Sequence, residues 1–214
     1  MAREINDKID ALFVEGPDDG AVVNALVRKL SGIDLAKRPY RVVRTLEDGG
    51  GDSWALREFE RYLATERPGA RVGLIVDRDE VTNDKWPAVS AILHRLGVET
   101  RDGPTAGGAI IDGRYGIWMW PDNTSHGDLE TFVAGIVPQS ALLTYASEAC
   151  RVAKGEHAAE YELRHVRKAA LKVRSVWRDA SAAGGYGHLV RNLELRSTPA
   201  SDAFLAWFTK LFLT

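Results

Sequence analysis

The sequence predicts an open α/β domain: a central, mainly parallel sheet, helices on both faces, and a helical C-terminal extension packed on it. Leu12-Phe13-Val14-Glu15 and Gly73-Leu74-Ile75-Val76-Asp77 are apolar runs that end abruptly in carboxylates. Buried strands read this way when they deliver charge to the rim of a parallel sheet. The first half alternates such runs with segments of helical period, and consecutive β-α-β units imply right-handed crossovers. From His126 onward the pattern turns helical.

The elements follow in order. Residues 11–15 form the first strand. Pro17 or Asp18 opens a helix with Ala21, Val22, Ala25, Leu26 and Leu30 at helical spacing, and Gly32 stops it. Residues 40–46 form a strand. Residues 47–52 hold three consecutive glycines and read as a turn. Their backbone N–H groups could approach a phosphate at a helix N-terminus, but the flanking acids weigh against it. Asp52 or Ser53 can cap the next helix, where Leu56, Phe59 and Leu63 mark the inward side, and Pro68-Gly69 breaks it. Residues 71–77 are the third strand. Trp86-Pro87 opens a helix running to about residue 96, with the proline suited to a first turn. Residues 109–112 and 115–120 read as a tight hairpin around Gly113.

Helices are then expected over 127–136, 139–153, 157–177 and 201–212. The longest carries Leu163, Val166, Ala170, Val173 and Trp177 as a packing stripe. Gly184-Gly185-Tyr186-Gly187 reads as a flexible break. Trp118, Trp120, Trp177 and Trp207 fall in apolar segments and read as core residues. Residues 1–136 form the α/β core and 137–214 a helical extension of the same domain, because no linker separates them.

Composition narrows the function. The chain has 214 residues and a net charge of −2, so a nucleic-acid-binding surface would have to be local rather than a global basic field. Cys150 is the single cysteine. It excludes an internal disulfide and a cysteine-based zinc cluster, suits a reducing cytoplasm, and reads as a small buried residue of an Ala-rich helix. No apolar run is long enough to span a bilayer, and residues 1–10 are polar and charged, so neither a membrane nor a signal peptide is expected. The apolar C-terminus would suit a homodimer contact. No Walker A pattern is present, so any ATPase would be a separate partner.

If the strands ending at Val14 and Val76 are neighbours, Glu15, Asp19, Asp77 and Asp79 converge. Clustered carboxylates repel strongly at low dielectric and persist mainly where a cation neutralises them. Oxygen ligands without cysteine or histidine point to Mg²⁺ or Mn²⁺.

Val14-Glu15-Gly16 and Asp77-Arg78-Asp79 resemble the two motifs of the Toprim fold, a Glu after one strand and an Asp-x-Asp after a later one. That fold occurs in topoisomerases, bacterial primases, small ribonucleases that mature ribosomal RNA, and the overcoming-lysogenization-defect nucleases. The acids are most similar to the last group, with a second acid four residues after the Glu, here Asp19. Nearly the full length resembles a small standalone Toprim-like family of unknown function. The matching segments are Pro121-Asp122-Asn123, Gly127-Asp128-Leu129-Glu130, the helix from Lys168 to Trp177, and Trp207-Phe208-Thr209-Lys210-Leu211-Phe212. The resemblance implies a Rossmann-like Toprim fold and a metal-dependent nuclease. Many Toprim enzymes place a Gly soon after Asp-x-Asp. Glu80-Val81-Thr82-Asn83 stands here instead, which disfavours a topoisomerase or primase more than a nuclease.

Ligands in open α/β sheets sit beyond the carboxyl ends of the strands. There Asp77 and Asp79 would hold one ion, Glu15 would bridge or accept a proton, and Asp19 would serve a second ion. The rival reading makes Asp18 and Asp19 helix-terminus acids, and Asp79 and Glu80 solvated loop acids. Asp122, Asp128 and Glu130 reach the same rim if the last strand adjoins the first. Glu130 is the favoured site residue of the three, with helix capping as the alternative role. His126 reads as an exposed turn histidine, with a phosphate donor as the rival. The long late helix carries Arg164, Arg167, Lys168, Lys172, Arg174 and Arg178, either a nucleic-acid contact or a solvated face.

Three functions compete. The first is a Mg²⁺-dependent phosphodiesterase, a nuclease on DNA or RNA. The second is a non-catalytic metal- or nucleic-acid-binding module working with a partner ATPase. The third is a phosphatase or phosphoacceptor domain, against which stand the late position of Asp77-Arg78-Asp79 and the Pro121-Asp122 that replaces a lysine after the last strand.

Overall fold

The structure is a computed structural model describing residues 10–32, 41–44, 51–65, 68–95, 97, 99–100, 105–180, 185–192 and 195–214. Five strands are described: β1 (Ala11–Val14), β2 (Arg41–Arg44), β3 (Val72–Asp77), β4 (Ala109–Ile111) and β5 (Tyr115–Trp120). They form one sheet in the order β2-β1-β3-β5-β4, with four parallel strands and β4 antiparallel at the edge. The helices are α1 (Pro17–Ser31), α2 (Gly51–Leu63), α3 (Trp86–Arg95), α4 (Leu129–Ile136), α5 (Ala141–Glu156), α6 (Val166–Arg178), α7 (Tyr186–Asn192) and α8 (Pro199–Phe212). The fold is therefore the expected Rossmann-like α/β arrangement.

Strand period two divides the core. Leu12, Val14, Ile75, Trp118 and Trp120 point to one face, where they pack with buried residues of α1, α4, α7 and α8. Ala11, Phe13, Leu74, Val76, Ile117 and Met119 point to the other, against α2 and α3. Val14 lies opposite Ile75 in the β1–β3 pairing, so the two acid-tipped strands are neighbours.

Helix α8 presses on the sheet across a seam of strand glycines. A Cβ at Gly116 would stand 2.3 Å from Leu211 Cδ2 and 2.9 Å from Trp207 Cζ2, and one at Gly73 would stand 2.7 Å from Leu12 Cδ1. The aromatic cluster above this seam joins Trp118, Trp120, Phe132, Phe204 and Trp207, with Trp118 and Phe204 edge to face at 5.2 Å.

Several expectations change. Leu211, Phe212 and Leu213 are buried, so the apolar C-terminus completes the core and does not offer a dimer contact. The helix expected over 157–177 is divided: α5 runs on to Glu156, a 3₁₀ turn covers Leu163–His165, and α6 begins at Val166. Its supposed stripe fails at both ends, since Leu163 is 71% and Trp177 46% exposed, with Trp177 against Tyr145. Tyr186 and Gly187 lie in α7, not in a break. A Cβ at Gly187 would meet that of Ala21 at 2.4 Å, so α7 sits tightly on α1. Strand β5 adjoins β3, not β1. Gly51 and Asp52 already belong to α2, while the rest of the glycine-rich turn, residues 47–50, lies outside the described residues. No described helix is long and apolar enough to cross a membrane.

The glycine seam makes a test. Gly116→Ala should lower stability by about 1–3 kcal/mol through overpacking against α8. Gly135→Ala, where the added methyl meets nothing within 4 Å, should be neutral or stabilise by up to about 1 kcal/mol. Urea unfolding of both variants measures this, and equal effects would refute the close-approach account.

Candidate functional site

The acids meet at the carboxyl edge of β1 and β3. The Asp77 N–H donates to Glu15 Oε1 at 2.8 Å, so the contact between these strands continues past the ladder through a side chain. Asp77 Oδ1 in turn accepts from the Leu129 N–H at 2.9 Å, which fixes the start of α4 above the rim. Asp19, in the first turn of α1, is buried. Its Oδ1 accepts from Trp120 Nε1 at 3.0 Å and its Oδ2 from the Gly16 N–H at 3.1 Å. Glu130 is buried on α4 and pairs with Lys168 Nζ of α6 at 2.9 Å.

The electrostatics show that these groups share one environment. Burial pushes the Asp77 carboxyl well above the usual carboxylate range, and the charges of Glu15, Asp19 and Glu130 push it further. Burial lifts Asp19 to about 7, with a smaller upward push from Glu130, against the lowering effect of the bonds from Trp120 and Gly16. Burial works against the Lys168 charge, but the bond to Glu130 and the fields of Glu130, Asp18 and Asp77 outweigh it and raise its pKa. Tyr186, buried beside them, is held protonated by burial and by the charges of Glu130 and Asp18.

Asp79 stands apart from this group. It has a left-handed φ of 62°, its backbone bridges Gly127 in both directions, and its carboxylate pairs with Lys85 at 3.2 Å. Arg78, between the two motif acids, turns away: it binds Asp84 through Nε and Nη2, and the Asn123 and Thr124 carbonyls through Nη1. Asp122 accepts from Thr124 and Ser125 within its own turn, and Asp128 caps α4 by accepting from the Thr131 N–H at 2.7 Å. Both acids have the capping and turn roles that compete with a site role. Asn123 is buried and closes the end of β5 by accepting from the Met119 N–H.

A cleft of about 760 Å³ opens beside the rim. Asp77, Asp79 and Glu130 line one side, and His126, His165, Arg167 and Lys168 also border it. His126 is exposed, as its position in a turn implies, and also faces this cleft. Of the basic residues singled out on the late helix, Arg167 and Lys168 border the cleft. Lys172 does not line the cleft and lies 5.7 Å from the Tyr186 ring centroid. The side chain of Arg164 lies outside the described residues. His165 is a cleft residue that sequence reasoning did not select. It lies in the 3₁₀ turn before α6, and no periodic pattern announces where that segment turns.

The donor set is oxygen-rich and short of compensating charge, which suits a hard dication. Among the described residues no three His, Cys, Asp or Glu side chains are gathered to hold an ion as they stand. The reason is visible in their partners: Glu15 and Asp77 accept from backbone N–H groups, Asp79 faces Lys85, and Glu130 faces Lys168. Ion binding would exchange some of these contacts.

The raised carboxyls have a sign. A carboxyl that holds its proton more tightly when folded favours folding at low pH, and this contribution is lost as pH rises through its folded pKa. For Asp19 the window runs from about 3.8 to about 7, worth on the order of 4 kcal/mol across it. Metal-free protein should therefore melt lower at pH 8 than at pH 5, and Asp19→Asn should flatten the profile. A profile unchanged by Asp19→Asn in thermal melts would contradict the buried-charge account.

No curated protein and no solved structure matches the chain. One family model does, across residues 9–213. With the match covering almost every residue, the chain belongs to DUF3226, a family described as proteins of unknown function.

Proposed function

We propose that the protein is a Mg²⁺- or Mn²⁺-dependent phosphodiesterase of Toprim type, a nuclease acting on DNA or RNA. One observation carries the reading: at the carboxyl edge of adjacent parallel strands, Asp77 feels the charges of Glu15, Asp19 and Glu130, the four acids coming from three separate stretches of chain. The adjoining cleft supports it by setting Arg167 and Lys168 near those acids. Asp77, Glu130, Asp19 and Glu15 would hold the ion, and Asp79 would join them on leaving Lys85. A bound dication supplies charge neutralisation and polarises a phosphoryl oxygen. Arg167 and Lys168 would hold substrate phosphates, and Glu15 would accept the proton of an attacking water.

The second reading, a non-catalytic metal- or nucleic-acid-binding module acting with a separate ATPase, draws on the ion pairs Asp79–Lys85 and Glu130–Lys168. These offset acid charge without an ion.

Cleavage of single- and double-stranded DNA and of RNA with Mg²⁺ or Mn²⁺ tests both. Asp77→Asn and Glu15→Gln should each lose at least about 100-fold. Asp79→Asn should lose on the order of tenfold, because its carboxylate is already committed to Lys85. Full activity in a folded Asp77→Asn or Glu15→Gln protein refutes the nuclease assignment. Stabilisation by Mn²⁺ with no cleavage of any substrate favours the binding module.

A further inference from the structure

A second polar pocket, of about 140 Å³, lies between the C-terminal half of α6 and α7. It shares no lining residue with the acidic cleft. Arg174, Ser175, Arg178 and Asp179 border it from α6 and its end, and His188 and Asn192 from α7. Arg174 is 5% exposed, yet its Nε and Nη1 are buried and have no hydrogen-bond partner among the described residues.

A guanidinium does not shed its proton in a protein, so this charge remains wherever the fold puts it. Buried polar groups normally find partners, and a buried charge without them is costly. Burial, and after it the Arg178 charge, pushes the Arg174 pKa below the usual arginine value, with no carboxylate among the causes. The lining holds two arginines against one aspartate, so its net charge is +1 with His188 neutral. His188 is held by Asn192, whose Nδ2 lies 2.8 Å from its Nε2. The pocket is small beside ordinary ligand sites of about 300–1,000 Å³ and close to a cavity that takes a benzene-sized guest. It fits one anionic group rather than a whole nucleotide.

We infer that this pocket is a phosphate-binding site, in which Arg174 and Arg178 receive a single phosphate group and His188, Asn192 and Ser175 complete the polar lining. Arginine suits the role because its planar fork matches phosphate oxygens. The group could come from inorganic phosphate or a small phosphorylated compound, or from the terminal phosphate of a nucleic acid. The chemistry of recognition is shared. This inference does not depend on the proposed metal site in the acidic cleft.

The test is thermal melting of the full chain and its variants in phosphate, with chloride at matched ionic strength as control. Wild-type protein should gain several degrees in phosphate over chloride. Arg174→Met should melt at or above wild type without phosphate, because it removes an unpartnered buried charge, and should lose the phosphate response. Arg178→Gln, at an exposed position, should weaken that response by about tenfold in apparent Kd and serves if the first variant does not fold. Two oligonucleotides, with and without a 5′-phosphate, separate the sources. Preferential stabilisation by the phosphorylated one assigns a nucleic-acid end, and a response to inorganic phosphate alone assigns a small ligand. No phosphate-specific gain in wild type, or a response retained in both variants, overturns the inference.

Discussion

Negative charge buried at the junction of β1 and β3 is the constraint around which the rest of the molecule is arranged. Parallel pairing brings Glu15 and Asp77 to one edge, and the Asp77 N–H donates to Glu15. The helices that cover one face of the sheet bury Asp19 and Glu130 near enough for their charges to act on Asp77. Each neighbouring element supplies some relief: Trp120 from β5, the start of α4 through the Leu129 N–H, and Lys168 from α6. Without these contacts the carboxylates would face a hydrophobic core with little to offset their repulsion. The relief is incomplete, as the raised Asp19 and Asp77 carboxyls record.

Helix α6 serves two opposite electrostatic settings. Near its first turn, Lys168 faces excess acid and its charge is strengthened. Two turns on, Arg174 is buried beside another cation and its charge is opposed. The acidic cleft and the cationic pocket share no lining residue, and α6 contributes to both. Changes that shift α6 would therefore disturb both sites, whereas changes within one lining leave the other chemically intact.

The parts of this architecture that local pattern controls were legible in the chain. Apolar runs tipped with acid marked β1 and β3, but their adjacency stood only as a condition, because β2 intervenes in sequence and crossover handedness does not fix strand order. Glu130 and Lys168 were singled out separately, but their meeting depends on a fold of α4 against α6 that no spacing encodes. For Asp79, sequence reveals neither its left-handed backbone nor the claim of Lys85 on its carboxylate. Gly184 through Gly187 looked like a break because glycine weakens helices. In α7 the missing side chain at Gly187 instead admits Ala21, and the Tyr186 N–H donates to Asp18. Both partners lie more than 160 residues away in sequence. Trp177 kept helical spacing with buried neighbours, yet period alone does not say how far a covering element extends.

Helix α8 carries a consequence for biogenesis. Phe204, Trp207, Leu211 and Phe212 fill the space above Gly73, Gly116 and the tryptophans of β5, so this late segment lies against strands made more than 80 residues earlier. During synthesis those strands emerge before their cover does. Until residues 199–212 leave the ribosome, the indole of Trp118 lacks Phe204 and Trp207, Trp120 has Phe132 but not Phe204, and the nascent sheet carries an apolar surface that other chains or chaperones can reach.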